Sequence, residues 1–171
     1  MENIENYSKD ILDSKDHQEI NDFLLELSKS PKKSYFPILN SIIEDFSEEL
    51  LKKVNINLIY LIGEMGKTFE LDNKFIDYVI QTYYKSDRWI RNETIKTLSK
   101  ISKNKRIMDR VLDILVRALN DNYAKIQLSA FNMLLNETIL PKSLLEHVLR
   151  NINSSNKEVA EKALDVLKKF Y

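Results

Sequence analysis

Apolar side chains return in register every 33 to 36 residues, and no other property of this chain limits its fold as much. Three segments show the recurrence: Trp89 to Leu98, Lys125 to Leu134 and Glu158 to Leu167. Each has an apolar residue at its second position (Ile90, Ile126, Val159). A small residue follows four places on (Thr94, Ala130, Ala163), and Leu eight places on (Leu98, Leu134, Leu167). A more degenerate copy reads Val54, Leu58, Ile62 and runs into Gly63. The copies begin at 54, 90, 126 and 159, so the spacings are 36, 36 and 33 residues.

The preceding half of each unit repeats in the same register. Eleven residues before each start stand Ile43, Val79, Leu115 and Val148; fifteen before stand Leu39, Phe75, Val111 and Leu144. Five after each start stand Ile59, Ile95, Phe131 and Leu164. Residues three to four apart share one face of an α-helix, and these columns recur at helical spacing. Each unit is therefore two amphipathic helices, A then B, and each helix has one stripe to bury. One pair cannot enclose its own stripes, so consecutive pairs must share a core. The spacing predicts helices over 3–12 and 17–28, 34–46 and 48–63, 73–84 and 88–102, 106–119 and 122–136, and 142–152 and 156–170.

The punctuation fits these boundaries. Asp121 is placed to cap a helix starting near Asn122. Asp16 with Glu19, Ser143 with Glu146 and Ser155 with Glu158 have capping-box spacing, in which each side chain satisfies a backbone donor of the other. Pro31 and Pro141 fall between units, and Pro37 falls in a first helical turn, where a missing N–H does little harm. Gly63 and Gly66 stand where the second B helix should end, which predicts a left-handed cap there. At the N-terminus, Ile4, Tyr7 and Ile11 form one stripe and Ile20, Phe23, Leu24 and Leu27 another. They read as an atypical first repeat, as the end of a stack should be.

With these residues in view, the chain resembles the HEAT/armadillo superfamily of helical repeats. The run from Asn120-Asp121 through Ile126, Ala130 and Leu134 is the nearest match to that family's pattern. Arg91 occupies the family's Arg position and Asp121 its Asp position. The resemblance implies an all-α, right-handed α-solenoid of about five helix pairs, or ten helices. It covers 34–170, with 1–30 as the atypical N-terminal repeat of a single domain over 1–171. It also implies an Arg91–Asp121 salt bridge between neighbouring repeats. Elsewhere the Arg position holds Asn55, Gln127 and Ala160, and the Asp position Glu49, Lys85 and Ser154, so that ladder is mostly missing. The Trp/Leu-Gly/Tyr pattern of tetratricopeptide hairpins is absent.

Composition removes several classes of function. Two glycines and three prolines are too few for a fold rich in hairpins. Without cysteine there is neither a disulfide nor a thiolate metal site. His17 and His147, the two histidines, have no second ligand at a zinc-like spacing. There is no glycine-rich phosphate loop and no nucleophile elbow. Trp89-Ile90-Arg91 is superficially similar to part of the HEAT-like DNA glycosylases, but their partner Trp and catalytic Asp have no counterpart. The bilin lyases, which also have HEAT-like repeats, share no distinguishing residue with the chain. No enzyme activity, cofactor or metal is therefore expected. The first ten residues hold Glu2, Glu5 and Asp10 with no apolar run, unlike a signal peptide, and no stretch approaches the roughly 18 apolar residues of a membrane span. The expectation is a cytoplasmic protein.

Charge is balanced overall but unevenly distributed. Residues 1–50 carry five Lys against twelve Asp or Glu, while residues 85–110 carry nine Lys or Arg against three acids. Such a bipolar chain suits a protein binder or a self-associating molecule. Helical phase sends one face of each B helix outward: Asn57, Tyr60 and Glu64; Glu93, Lys96 and Lys100; Ser129, Asn132 and Asn136; Lys162, Asp165 and Lys169. In a solenoid these rows would line the concave face. The leading reading is a scaffold or adaptor that presents this track to a protein partner. The alternative is a nucleic-acid-associated protein using region 85–110, with Lys96, Lys100, Lys103, Lys105, Arg106 and Arg110 as its cations. That alternative requires aromatic platforms among the cations. Trp89, the sole Trp, is read as packing between repeats.

Overall fold

The computed structural model describes residues 2–171, with side chains from Ser8 onward, so Ile4 and Tyr7 of the first expected stripe lie outside the described side chains. The described chain is all-α. Its helices are α1 (Glu2–Ser14), α2 (His17–Lys29), α3 (Phe36–Asp45), α4 (Glu48–Thr68), α5 (Asn73–Tyr84), α6 (Arg88–Ile101), α7 (Met108–Leu119), α8 (Ala124–Asn136), α9 (Lys142–Asn151) and α10 (Lys157–Phe170). A short 3-10 turn, Lys33–Tyr35, leads into α3. No strand occurs among the described residues.

Each odd helix packs on the even helix that follows it. The even helices also pack on one another in chain order, α2 on α4, α4 on α6, α6 on α8 and α8 on α10. Among the odd helices, α5 touches α7 and α7 touches α9. The apolar columns occupy the surfaces between these helices. Leu39, Phe75, Val111 and Leu144 are buried, as are Leu58, Thr94, Ala130 and Ala163. All but the polar Thr94 belong to one continuous cluster running from Ile20 to Val166.

The columns are not sealed at every position. Ile59, Ile95 and Phe131 are fully buried, whereas their counterpart Leu164 is 42% exposed. It projects from α10, the last even helix of the described row. Ile90 is only half-buried although Ile126 and Val159 are sealed, because Ile90 lines a surface groove.

The glycine expectation was wrong. Helix α4 continues to Thr68, and neither glycine has a positive φ. The lone positive φ among the described residues belongs to Lys15, between α1 and α2. Gly63 and Gly66 are needed for close approach instead. A Cβ on Gly63 would stand 3.0 Å from Thr97 Oγ1 and 3.3 Å from the Thr97 Cα, and one on Gly66 would stand 2.7 Å from Ile101 Cγ1. The absent side chains let α6 lie close against α4.

Capping follows the expected sites only in part. Asp16 accepts from the backbone N–H of Gln18 and of Glu19 at the start of α2. Glu19 does not close the box; it accepts from Ser14 Oγ at 3.1 Å. Asn156 rather than Ser155 caps α10, and Pro141 precedes α9 without supplying a side-chain cap. Asp121 accepts from the Tyr123 N–H at 2.9 Å and so shapes the turn before α8.

Candidate interaction surface

The twelve residues assigned to the outward track all lie on α4, α6, α8 and α10, but they do not share one environment. Several are tied to the neighbouring even helix. Asn57 Nδ2 donates to Asn21 Oδ1 at 2.8 Å, joining α4 to α2. Ser129 Oγ donates to Asn92 Oδ1 at 2.8 Å inside the α6–α8 contact, where both residues are buried. Asn136 Nδ2 reaches Ser99 Oγ at 3.4 Å across the same pair. Lys169 Nζ donates to the Glu137 carbonyl at 2.6 Å and also to the Leu135 carbonyl, pinning α10 to the end of α8.

Tyr60, Glu64, Glu93, Lys96 and Lys100 form one network between α4 and α6. Lys100 Nζ lies 2.9 Å from Glu64 Oε1, 3.8 Å from Glu93 Oε1 and 4.2 Å from the centre of the Tyr60 ring. Lys96 pairs with Glu93 at 3.7 Å, and Lys67 with Glu64 at 3.3 Å. Burial raises the Glu64 carboxyl, but hydrogen bonding and charge from Lys100 and then Lys67 outweigh it, so its pKa lies below the usual 4.5. The network neutralises itself. Asn132, Lys96, Asp165 and Lys169 remain exposed, and Lys162 pairs only locally with Asp165 at 3.5 Å.

The structure also supplies inter-helix bonds that the outward phase did not anticipate. Thr97 Oγ1 donates to the Ile59 carbonyl at 2.9 Å, and Asn104 Nδ2 to the Gly66 carbonyl at 2.9 Å. Asn151, also buried, donates to the Leu119 carbonyl at 2.9 Å. Thr97 and Asn151 are polar groups at core positions, each given a partner by the preceding helix pair, as burial of a polar group requires. The available signal was two glycines and two threonines inside apolar helical stripes, where only tight packing has a use for small residues.

The cations of the basic run are mostly engaged. Beyond Lys96 and Lys100, Lys105 donates to the Leu71 carbonyl at 2.8 Å, and Arg110 binds Asn73 at 3.1 Å and pairs with Asp77. Lys103 and Arg106 stay exposed.

A second region lies where odd helices turn into even ones. Arg91 Nη2 meets Asp121 Oδ2 at 3.1 Å, the ion pair anticipated from the sequence, and Arg91 Nη1 reaches the Ser86 carbonyl at 3.4 Å. The α5–α6 turn is thereby fastened to the α7–α8 turn. Above it, Trp89 meets Tyr123 edge to face at 5.8 Å and 74°. Trp89 does touch the next pair as expected, yet it stays 50% exposed. The Arg88 guanidinium lies 5.1 Å from the Trp89 ring and 5.2 Å from the Tyr123 ring, and Lys125 Nζ lies 5.8 Å from the Trp89 ring. On the other side of the α5–α6 turn is a groove of about 780 Å³ lined by Ile43, Leu51, Tyr78 and Ile90, with Lys52 and Asp87 among its polar residues. The Tyr78 hydroxyl donates to Asn55 Oδ1 at 2.8 Å, and burial pushes its pKa up to about 12.

No described helix is long and apolar enough to cross a membrane, and no group of three or more metal-ligating side chains comes together among the described residues. No protein-family model matches the chain, and no curated protein matches it in sequence.

Proposed function

We propose that the chain is a non-enzymatic scaffold or adaptor, a HEAT-type α-solenoid that presents its even-helix surface to a protein partner. The observation that carries this reading is the bonding between successive even helices. Asn21 with Asn57, Glu64 with Lys100, Asn92 with Ser129 and Ser99 with Asn136 are 36 or 37 residues apart in the chain, close to the period of the apolar columns. A row joined at one register is stiff and needs no rearrangement to meet a partner, which lowers the ordering cost of binding. The mechanism is display. Asn132, Asn136, Lys96 and Asp165 stand exposed on consecutive members of the row and offer a mixed polar face. The engagement of Lys96, Lys100, Lys105 and Arg110 with their own chain weighs against a phosphate-binding role for region 85–110.

Affinity capture from the native cell tests the reading. Changing Asn132→Arg together with Lys96→Glu alters exposed positions only, so the melt should match wild type. Recovery of a captured partner should fall about tenfold, a change of roughly 1.4 kcal/mol. Equal recovery by the variant rejects the even-helix surface. Binding to oligonucleotides that weakens steeply with salt rejects the protein-binding reading.

A further inference from the structure

The edge formed by the α3–α4, α5–α6 and α7–α8 turns has properties that the even-helix surface lacks. Its aromatic residues are half-exposed, and two of its cations, Arg88 and Lys125, are not neutralised. Neither Arg88 nor Lys125 forms an ion pair with a carboxylate among the described residues, in contrast with Lys100 and Arg110. Both are exposed and lie over aromatic rings. Trp, Tyr and Arg are the residue types that dominate binding energy at protein interfaces, and they are gathered here at one point.

The cluster is held in place from below. Arg91 grips both Ser86 and Asp121, and Asp121 in turn holds the Tyr123 N–H at 2.9 Å. The rings are therefore positioned by a partly buried ion pair rather than by a ligand. The groove beside the cluster is lined by Ile43, Leu51 and Ile90, and it shares the α5–α6 turn with Arg88 and Trp89. A partly apolar recess and a cationic cluster thus share the α5–α6 turn.

We infer that this edge is a second binding surface, for an extended segment of a partner protein that seats an apolar side chain in the groove and acidic side chains on Arg88 and Lys125. Adjacent helices pack about 8–10 Å apart and an extended chain rises about 3.3 Å per residue, so the two contacts should fall about three residues apart in the ligand. A nucleic-acid strand fits less well. The rings that would stack its bases already carry Arg88 and Lys125.

Trp89 is the sole tryptophan of the chain, so its emission reports on this edge directly. The full chain should be titrated with synthetic peptides of about nine residues carrying Leu and, about three places away, two Glu, in both chain directions. Controls are the same peptides with Lys for Glu, and an oligothymidylate. The acidic peptide in one direction should shift Trp89 emission to the blue and saturate, while the basic peptides should not. The double change Arg88→Ser with Lys125→Ser should weaken that binding about tenfold. Its melt should stay unchanged, because both side chains are exposed. The double change Lys103→Ser with Arg106→Ser should leave the binding as it is. No saturable response to either acidic peptide overturns the inference, as does tighter binding of the oligothymidylate. Indifference to the Arg88 and Lys125 changes overturns it too. The inference rests on the protein-binding reading but on a different surface, so the two fail separately. Capture that ignores the Asn132 and Lys96 changes removes the even-helix surface, and a null titration removes this edge.

Discussion

The seam between α4 and α6 and the edge around Trp89 are both rich in polar and charged side chains, yet they serve opposite ends. In the seam, Lys100 meets Glu64, Thr97 meets the Ile59 carbonyl and Asn104 meets the Gly66 carbonyl. Each group is satisfied within the chain, and little is left for a ligand. At the edge, Arg88 and Lys125 lie on aromatic faces with no carboxylate of their own. A cation's meaning is therefore set by whether the fold neutralises it, and not by its density along the sequence. Within the basic region 85–110, Lys100 and Arg110 are paired with carboxylates of the chain, whereas Arg88 is paired with none among the described residues.

If the two regions differ in this way, substitutions in the seam should act on stability. The largest effect is expected for Ala130→Glu, placed where α8 is fully buried in the row. An unpaired carboxylate there should cost about 3–5 kcal/mol or more, enough to consume much of a small domain's stability. Thermal unfolding followed by circular dichroism should lose its cooperative transition. A wild-type melt would mean that the even helices do not pack as described.

Gly63→Val should act in the same direction but less strongly. The first carbon of the new side chain already falls 3.0 Å from Thr97 Oγ1, and the Thr97 backbone cannot move without displacing α6. Overpacking of this kind costs about 1–3 kcal/mol, less a few tenths regained from helix propensity. The midpoint of denaturant unfolding should fall accordingly. An unchanged or raised midpoint would show that the close approach of α4 and α6 is not required. Gly63 thus separates a packing role from the terminating role that its sequence position suggested.

That glycine also marks the limit of what was legible beforehand. The ten helices were readable because burial imposes a period on apolar residues, and Leu39, Phe75, Val111 and Leu144 obey it without exception. The Arg91–Asp121 pair was readable through resemblance. The outward track was less so. Helical phase places Ser129 and Asn57 away from the partner helix of their own pair, but it carries no information on how closely the next even helix approaches. More than half of a supposed solvent face therefore became a seam. The edge escaped notice for a related reason. Trp89 and Tyr123 are 34 residues apart, and only the stacking of the turns brings their rings to 5.8 Å.

The smallest expected effect tests the charge balance of the seam itself. Glu64 is only 16% exposed and is held below its ordinary pKa of 4.5, since Lys100 and Lys67 together outweigh the penalty of burial. A carboxyl with a depressed folded-state pKa stabilises the fold fully above its unfolded value. That contribution fades as the pH falls through the folded value. The stability difference between wild type and Glu64→Gln should therefore favour wild type by about 1 kcal/mol near neutral pH. It should shrink steadily as the pH falls below about 4.5 and through the lower folded-state value. Denaturant unfolding of both proteins across this range measures it. The double change Arg88→Ser with Lys125→Ser should show no such window, because these cations meet no carboxylate. A pH dependence at the edge equal to that of the seam would erase the distinction between the two regions. A flat difference for Glu64→Gln would mean that Lys100 is a bystander in the seam rather than its counter-charge.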